Sequence, residues 1–134
     1  MRRAAGFGLA ISMLAVSACG GGDAGGSQGA AAAGETAFRA CSSCHATAAP
    51  GTREGDMRLV GPNLHGVVGR PAGSVPGFIY SRAMENSGLV WDEATLDAFL
   101  ASPQTVVRGT RMSYFGEPDA ATRQAIIDYL KTLK

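Results

Sequence analysis

The pentapeptide Cys41-Ser42-Ser43-Cys44-His45 constrains the fold of this chain more than any other stretch. Its spacing, C-x-x-C-H, is typical of the covalent attachment of haem. Two thiols at this spacing lie about one helical turn apart, so both can bond one porphyrin, and the adjacent imidazole can bind the iron. The motif therefore predicts a chain that folds around a large apolar cofactor.

Two other chemistries share part of this motif. A pair of cysteines at this spacing can form a dithiol redox site or half of a zinc site. The histidine directly after Cys44, the lack of a second cysteine pair and the helical pattern before Cys41 favour haem over both. A thiol–disulfide protein would instead present Cys41 and Cys44 as free thiols that can be titrated.

Composition narrows the class of protein. The chain has 134 residues, enough for one domain with a single core. Charged residues make up 17% and the net charge is +1, which favours neither a nucleic-acid-binding protein nor a disordered one. Because a net charge this small produces no large electrostatic field of one sign, we expect little electrostatic steering of partners.

Residues 1–18 have the pattern of an export signal, with two arginines ahead of an apolar run that is too short to span a bilayer. The next stretch, Val16-Ser17-Ala18-Cys19, resembles the lipobox of bacterial lipoproteins. The resemblance implies that Cys19 is acylated and becomes the first mature residue, which would explain the third cysteine. Ordinary cleavage after Ala18 and an uncleaved anchor are the alternatives.

Residues 19–33 are predicted to form the lipidated cysteine and a flexible tether. The stretch GGGDAGGSQGAAAA, residues 20–33, contains no large side chain that could join a core. A flexible chain of that length reaches roughly 20 Å. A tethered domain stays close to the bilayer, which raises its effective concentration towards other membrane proteins.

The remaining residues, 34–134, are predicted to form one all-α domain. Apolar periodicity and capping residues predict helices over 34–45, 81–87, 92–101 and 118–133, with Ser81 and Asp92 as N-caps. The chain becomes irregular after His45, and residues 61–80 are rich in turn formers and poor in periodicity, a loop of unusual length in a compact domain. A large apolar cofactor accounts for it, because the loop can wrap around the cofactor.

The stretch from Gly34 to Lys131 resembles class I cytochrome c, nearly continuously and in the same order. The matching blocks are GETAFRACSSCHA, GPNLHGVVGR, PGFIYSRAM, NSGLVWDEATLDAFL, RGTRMSYFG and AIIDYLK. The resemblance implies a small class I cytochrome c fold, in which helices and long loops wrap one covalent haem c. With the N-terminal segment included, the chain resembles a membrane-anchored bacterial form of that family.

The resemblance implies a role for each residue that matches a functional position. Cys41 and Cys44 would form the thioether bonds, and His45 and Met112 would bind the iron from opposite sides. The carbonyl of Pro62 would orient His45 through its other ring nitrogen. The positions that hydrogen-bond or neutralise the haem propionates are matched by Arg70, Tyr80 and Trp91.

Some residues compete with these assignments or depart from the family pattern. Met57, Met84 and His65 could also bind iron, but they lie outside the matching ligand motif, so packing or surface roles are expected. Phe99 stands where the family often has tyrosine, which removes a hydrogen bond to the ligand sulfur. Arg108 stands where proline usually precedes the ligand loop, so a less rigid loop is expected.

A histidine and a methionine on one iron leave no open position, which implies an electron carrier and not an enzyme. The expected protein is a monomer without affinity for nucleic acid, anchored by lipid on the periplasmic side of a bacterial membrane. Its expected partners are a cytochrome bc1-type complex and a terminal oxidase. Alternatives are a dedicated electron donor to a periplasmic reductase or dehydrogenase, and a haem peroxidase or gas-binding protein with an open site.

Overall fold

The computed structural model describes residues 24–134, which contain five α-helices and a long irregular segment between the first two. The helices are α1 (Ala24–Ser42), α2 (Arg82–Glu85), α3 (Glu93–Ala101), α4 (Pro103–Val106) and α5 (Ala120–Thr132). No β-strand forms within these described residues, where an isolated bridge joins Pro71 to Val90. The prediction of an all-α domain is confirmed.

Helix α1 begins earlier than predicted. Its first residue is Ala24, whereas the sequence pattern placed the start at Gly34. Residues 24–33, for which the sequence pattern predicted a flexible tether, form the first part of this helix. The run of alanines at 30–33 favours the helical conformation of those four residues, because alanine has the highest helix propensity.

The predicted export signal, residues 1–18, and the predicted lipidation site, Cys19, lie outside the described residues. The division of the chain after residue 33 therefore stays a prediction. Among the helices that are described, none is both long enough and apolar enough to cross a membrane.

Capping side chains set the first residue of three helices. Ser81, Asp92 and Asp119 each accept a hydrogen bond from the backbone N–H three residues further on. Helix α4 was not predicted, because Pro103 was expected only to end the preceding helix. Proline is favoured at the first helical position, where its missing N–H would have had no partner.

Helices α1 and α5 cross at close range and bury one face of each. At Gly34, a β-carbon would overlap the carbonyl oxygen of Ala125 and lie 2.8 Å from Cβ of Tyr129. The Phe38 ring stacks on Tyr129 with 5.1 Å between ring centroids. The buried core comprises Phe38, Val67, Met84, Trp91, Leu96, Phe99, Leu100, Val107, Ile126, Ile127 and Leu130.

The connection between α1 and α2 is held by side chains, since it contains no helix of its own. The Asn63 amide donates to the carbonyls of Ala48 at 2.9 Å and Gly55 at 2.8 Å, while its oxygen accepts the His65 N–H at 2.7 Å. These bonds fix the segment that passes beneath the end of α1.

Candidate haem-binding site

The predicted attachment motif lies where α1 ends. The helix stops at Ser42, before the predicted end at His45, and the N–H groups of Cys44 and His45 both donate to the Cys41 carbonyl at 3.0 Å. Both cysteines are half-buried free thiols, and Cys41 packs against the core. Burial, and then the neighbouring Cys44, raise the pKa of Cys41. The turn therefore presents two thiols and an imidazole within one short stretch.

The backbone of the following loop orients His45. Because a carbonyl can only accept, the Nδ1–H of His45 donates to the Pro62 oxygen, 2.8 Å away. The opposite nitrogen, Nε2, therefore carries the lone pair that a metal could use. Burial lowers the pKa of His45 although the Pro62 carbonyl acts in the other direction, and the lowered pKa favours the neutral imidazole.

Gly61 makes room for the His45 ring. A β-carbon at this position would overlap atoms of the imidazole, and the Gly61 N–H donates to the Cys44 carbonyl at 2.8 Å. Glycine is needed for this close approach and not for a positive φ. The sequence patterns did not single out Gly61, although its position directly before Pro62 was an available signal.

Met112 is partly buried and packs against the same hydrophobic core as Cys41. Its backbone N–H donates to the hydroxyl of Thr110 at 3.3 Å, and Thr110 is itself buried. Gln104, which the sequence patterns also missed, donates from Nε2 to the carbonyls of Thr110 at 3.0 Å and Met112 at 3.2 Å. These bonds constrain the loop that carries Met112. The arginine at position 108 had led us to expect a less rigid loop.

Each of the three predicted propionate contacts is held by the backbone or packs in the core. Arg70 donates to the carbonyls of His65 at 2.8 Å and Asn63 at 2.9 Å, and its own carbonyl accepts the Trp91 N–H at 3.0 Å. Burial lowers the pKa of Arg70 and raises the pKa of Tyr80, whose hydroxyl accepts a backbone N–H at 3.3 Å. Arg70 and Trp91 are therefore joined through the backbone, while Tyr80 packs against the core beside them.

The competing residues are engaged elsewhere. His65 donates from Nδ1 to the Thr47 carbonyl at 3.2 Å. Met84 belongs to the buried core, and the Met57 side chain is 51% exposed. Phe99 is buried against Trp91 with 4.9 Å between ring centroids, and it has no hydroxyl to offer a sulfur atom.

The donor set fits covalent haem. Two free thiols, a neutral imidazole with Nε2 unpaired and a thioether are the groups that this type of haem uses. The space at Gly61 is shaped to the His45 ring. Within residues 24–134, no group of three or more His, Cys, Asp or Glu side chains could hold a metal ion together.

Comparison with known proteins identifies a matching family and several similar proteins. The sequence model of the family described as "Cytochrome c" matches residues 31–134. Cytochrome c2 of Rhodoblastus acidophilus is 45% identical over 102 residues, which cover 76% of this chain and 91% of the relative. Cytochrome c2 of Rhodomicrobium vannielii is 48% identical and covers 74% of this chain and 75% of the relative. Among solved structures, cytochrome cH from Methylobacterium extorquens is 44% identical with a TM-score of 0.68, covering 76% of this chain and 97% of its own.

Proposed function

The chain belongs to the cytochrome c family, and from this premise we propose that it is a lipid-anchored carrier that moves single electrons between a cytochrome bc1-type complex and a terminal oxidase. It is a monohaem electron carrier and not an enzyme. Its cofactor is covalent haem c, and Cys41 and Cys44 fit the C-x-x-C-H attachment motif.

Four side chains would hold the haem. Cys41 and Cys44 would carry the thioether bonds, and His45 and Met112 would bind the iron. Bound haem supplies an iron that takes up and returns one electron. The observation that carries the proposal is the 2.8 Å hydrogen bond between His45 Nδ1 and the Pro62 carbonyl. That bond orients the ring and leaves Nε2 available to bind a metal.

Arg70, Tyr80 and Trp91 would contact the propionates. A guanidinium has five N–H donors, and two of those on Arg70 are engaged with backbone carbonyls. The remaining donors and the fixed position of the guanidinium support a role in neutralising carboxylate charge. The Tyr80 hydroxyl accepts one backbone N–H and keeps its own hydrogen to donate.

Partners would dock over the part of the surface next to Met112. Phe115, in the segment after Met112, is fully exposed at 100%, and Ile79 is 79% exposed. The Arg111 guanidinium donates to the Ile79 carbonyl, so these apolar side chains belong to neighbouring loops. Exposed apolar side chains near a redox centre suit the small, transient interfaces of electron-transfer pairs.

The membrane part of the proposal rests on Cys19 and the stretch before it, outside the described residues. Acylation of Cys19 would anchor the domain on the periplasmic side of a bacterial membrane. The anchor would be stable, because several acyl chains bind a membrane far more firmly than one. Intact-mass measurement of the native protein tests both parts together. We expect one haem, a chain that begins at Cys19 and the mass of the acyl groups.

The control for the anchor is Cys19→Ser, which we expect to move the protein from the membrane fraction to the soluble fraction with its haem retained. A native mass without acyl groups would overturn the anchor. A purified protein that lacks haem, or that binds carbon monoxide as readily as an open-site haem protein, would overturn the electron-carrier assignment.

Deletion of the gene and respiratory assays on isolated membranes test the partners. We expect electron flow from the bc1-type complex to the oxidase to fall and to return with added protein. Normal oxidase-linked respiration together with loss of one reductase or dehydrogenase activity would instead favour the dedicated-donor alternative.

A further inference from the structure

The segment that carries Met112 is held by a side chain from α4. The Nε2 atom of Gln104 lies 3.0 Å from the carbonyl oxygen of Thr110 and 3.2 Å from that of Met112. A side-chain amide has two N–H donors, so both are used on this one loop. Both distances lie within the normal range for N–H···O hydrogen bonds.

We propose that Gln104 is a positioning residue that clamps the Met112 loop and thereby sets how readily the Met112 sulfur leaves its place. The inference rests on the proposed function, in which Met112 is an axial ligand. Gln104 itself does not touch the ligand sulfur in this arrangement; it acts through the backbone on either side of Arg111.

The base of the clamp is rigid. Pro103, the first residue of α4, has a fully buried side chain, and Val107 at the other end is 3% exposed. The Val107 N–H donates to the Pro103 carbonyl at 2.9 Å, which closes the helical turn that carries Gln104. The amide therefore extends from a short element that is fixed at both ends by the core.

The clamp acts on a loop whose backbone no proline ring restrains. Arg108 occupies the position where the resemblance places proline, so φ is not locked there by a ring. Gly109 follows with φ of +91°, a conformation available mainly to glycine. Thr110 closes a turn by donating to Val107 at 3.0 Å. The Gln104 amide then ties the end of that turn to α4.

The test is Gln104→Glu, which keeps the shape of the side chain but turns two donors into acceptors that face two carbonyl oxygens. The probe is imidazole, which can bind the ferric protein only after Met112 has moved away. We expect imidazole to bind on the order of tenfold faster than to the parent, the change expected when hydrogen bonds of ordinary strength are removed. We also expect the far-red sulfur-to-iron absorption band to weaken.

The matched control is Gln124→Glu. Gln124 lies on α5, is exposed and donates to Asp128 Oδ1 at 3.1 Å, so it undergoes the same chemical change away from the loop. We expect imidazole binding to this variant to equal that of the parent. A purely structural role for Gln104 would lower the guanidinium unfolding midpoint and leave imidazole binding unchanged, which would overturn the inference.

Two further variants keep the test decisive. Gln104→Leu removes the donors without adding charge, and we expect it to change imidazole binding in the same direction if the glutamate variant fails to accumulate. Adding Arg108→Pro to Gln104→Glu should restore slow binding, since the ring would fix φ at residue 108 and Val107, with φ of −124° and ψ of 83°, lies outside the α region that a following proline disfavours. Fast binding in the double variant would mean that loop rigidity is not the quantity that Gln104 controls.

The outcomes also separate this inference from the proposed function. A parent protein without the far-red band contradicts Met112 ligation and therefore the proposed function itself. A parent with the band, and a Gln104→Glu variant that binds imidazole as slowly as Gln124→Glu, contradicts only the clamp.

Discussion

Gly61 and Pro62 act on the His45 ring through two different backbone features. Pro62 supplies a carbonyl oxygen 2.8 Å from Nδ1, and Gly61 supplies the space that a β-carbon would occupy. The first sets the tautomer and the second lets the chain approach the ring closely. Neither contribution depends on the chemistry of a side chain, so substitutions here act through geometry alone.

We expect Gly61→Ala to displace the His45 ring, because the new methyl group would overlap it. Such overpacking costs about 1–3 kcal/mol of unfolding free energy, and the yield of haem-containing protein is expected to fall. Gly66→Ala is the comparison: Gly66 has φ of +63° but open space around it. We expect Gly66→Ala to lower the free energy of unfolding by about 1–2 kcal/mol through backbone strain alone, with haem content unchanged. Equal haem content in both variants would contradict the steric argument.

At the scale of secondary-structure elements, the crossing of α1 with α5 holds the attachment motif against the core. The crossing is close because Gly34 has no side chain to keep the helices apart. Since α1 ends at the haem motif, a shift of this helix would move both thiols relative to the Met112 loop.

Gly34→Ala is expected to destabilise the holoprotein by about 1–3 kcal/mol, since the methyl group would overlap the Ala125 carbonyl and crowd Tyr129. Gly29→Ala, in the same helix with nothing within 4 Å, is expected to be neutral or to stabilise by up to about 1 kcal/mol. Guanidinium unfolding measures both. A similar loss of stability at both positions would mean that helix propensity, and not the crossing, determines the outcome.

Two helix caps predict how stability depends on acid pH. Hydrogen bonds from the backbone and side chain of Thr95 hold the pKa of Asp92 below its usual range, and Thr122 does the same for Asp119. Their carboxylates therefore stabilise the fold at neutral pH, and this contribution is lost as pH falls below about 4, through the lowered pKa values.

The double substitution Asp92→Asn and Asp119→Asn keeps both cap acceptors but removes the titration. We expect a shallower fall of unfolding free energy between about pH 4 and pH 2 than in the parent, with near-parent stability at pH 7. Unfolding curves recorded across this range measure the slope. Parallel curves for parent and variant would contradict a role for these two carboxylates.

For the whole molecule, the exposed apolar side chains near Met112 define the surface through which partners would receive electrons. Phe115→Ser is expected to slow electron transfer to partner membranes about tenfold, because removing an aromatic side chain from the centre of an interface costs more than about 1 kcal/mol. Val60→Ser removes a side chain that is 83% exposed but lies next to Gly61, on the His45 side. We expect that variant to react like the parent; equal slowing in both would argue against a local docking surface.

The balance of charge across the chain predicts a weak dependence on salt. The chain has twelve lysine and arginine residues and eleven aspartate and glutamate residues. Its two lysines, Lys131 and Lys134, are at the C-terminus. We therefore expect electron exchange with an anionic and with a cationic small redox reagent to change less than about tenfold between low and physiological ionic strength. Steep changes of opposite sign for the two reagents would show a strong local field.

Much of the fold could be predicted because the relevant signals are local. Caps at Ser81 and Asp92, the apolar stripes and the turn-rich loop depend on residues close together in the chain. The predicted start of α1 was too late, because the helix propensity of alanine extends that helix beyond its packed face. Helix α4 was not predicted, because a proline can either end a helix or begin one.

By itself, the sequence determined the chemistry of the candidate site. The two thiols and the adjacent imidazole of the attachment motif lie within five consecutive residues, so they stay close together however the rest of the chain folds. Only the tertiary structure decided what holds those groups in place: the space at Gly61 and the Gln104 amide across the Met112 loop. Those interactions join segments that lie apart in the chain or meet only after a turn has closed. Their geometry therefore follows from packing and not from local sequence pattern.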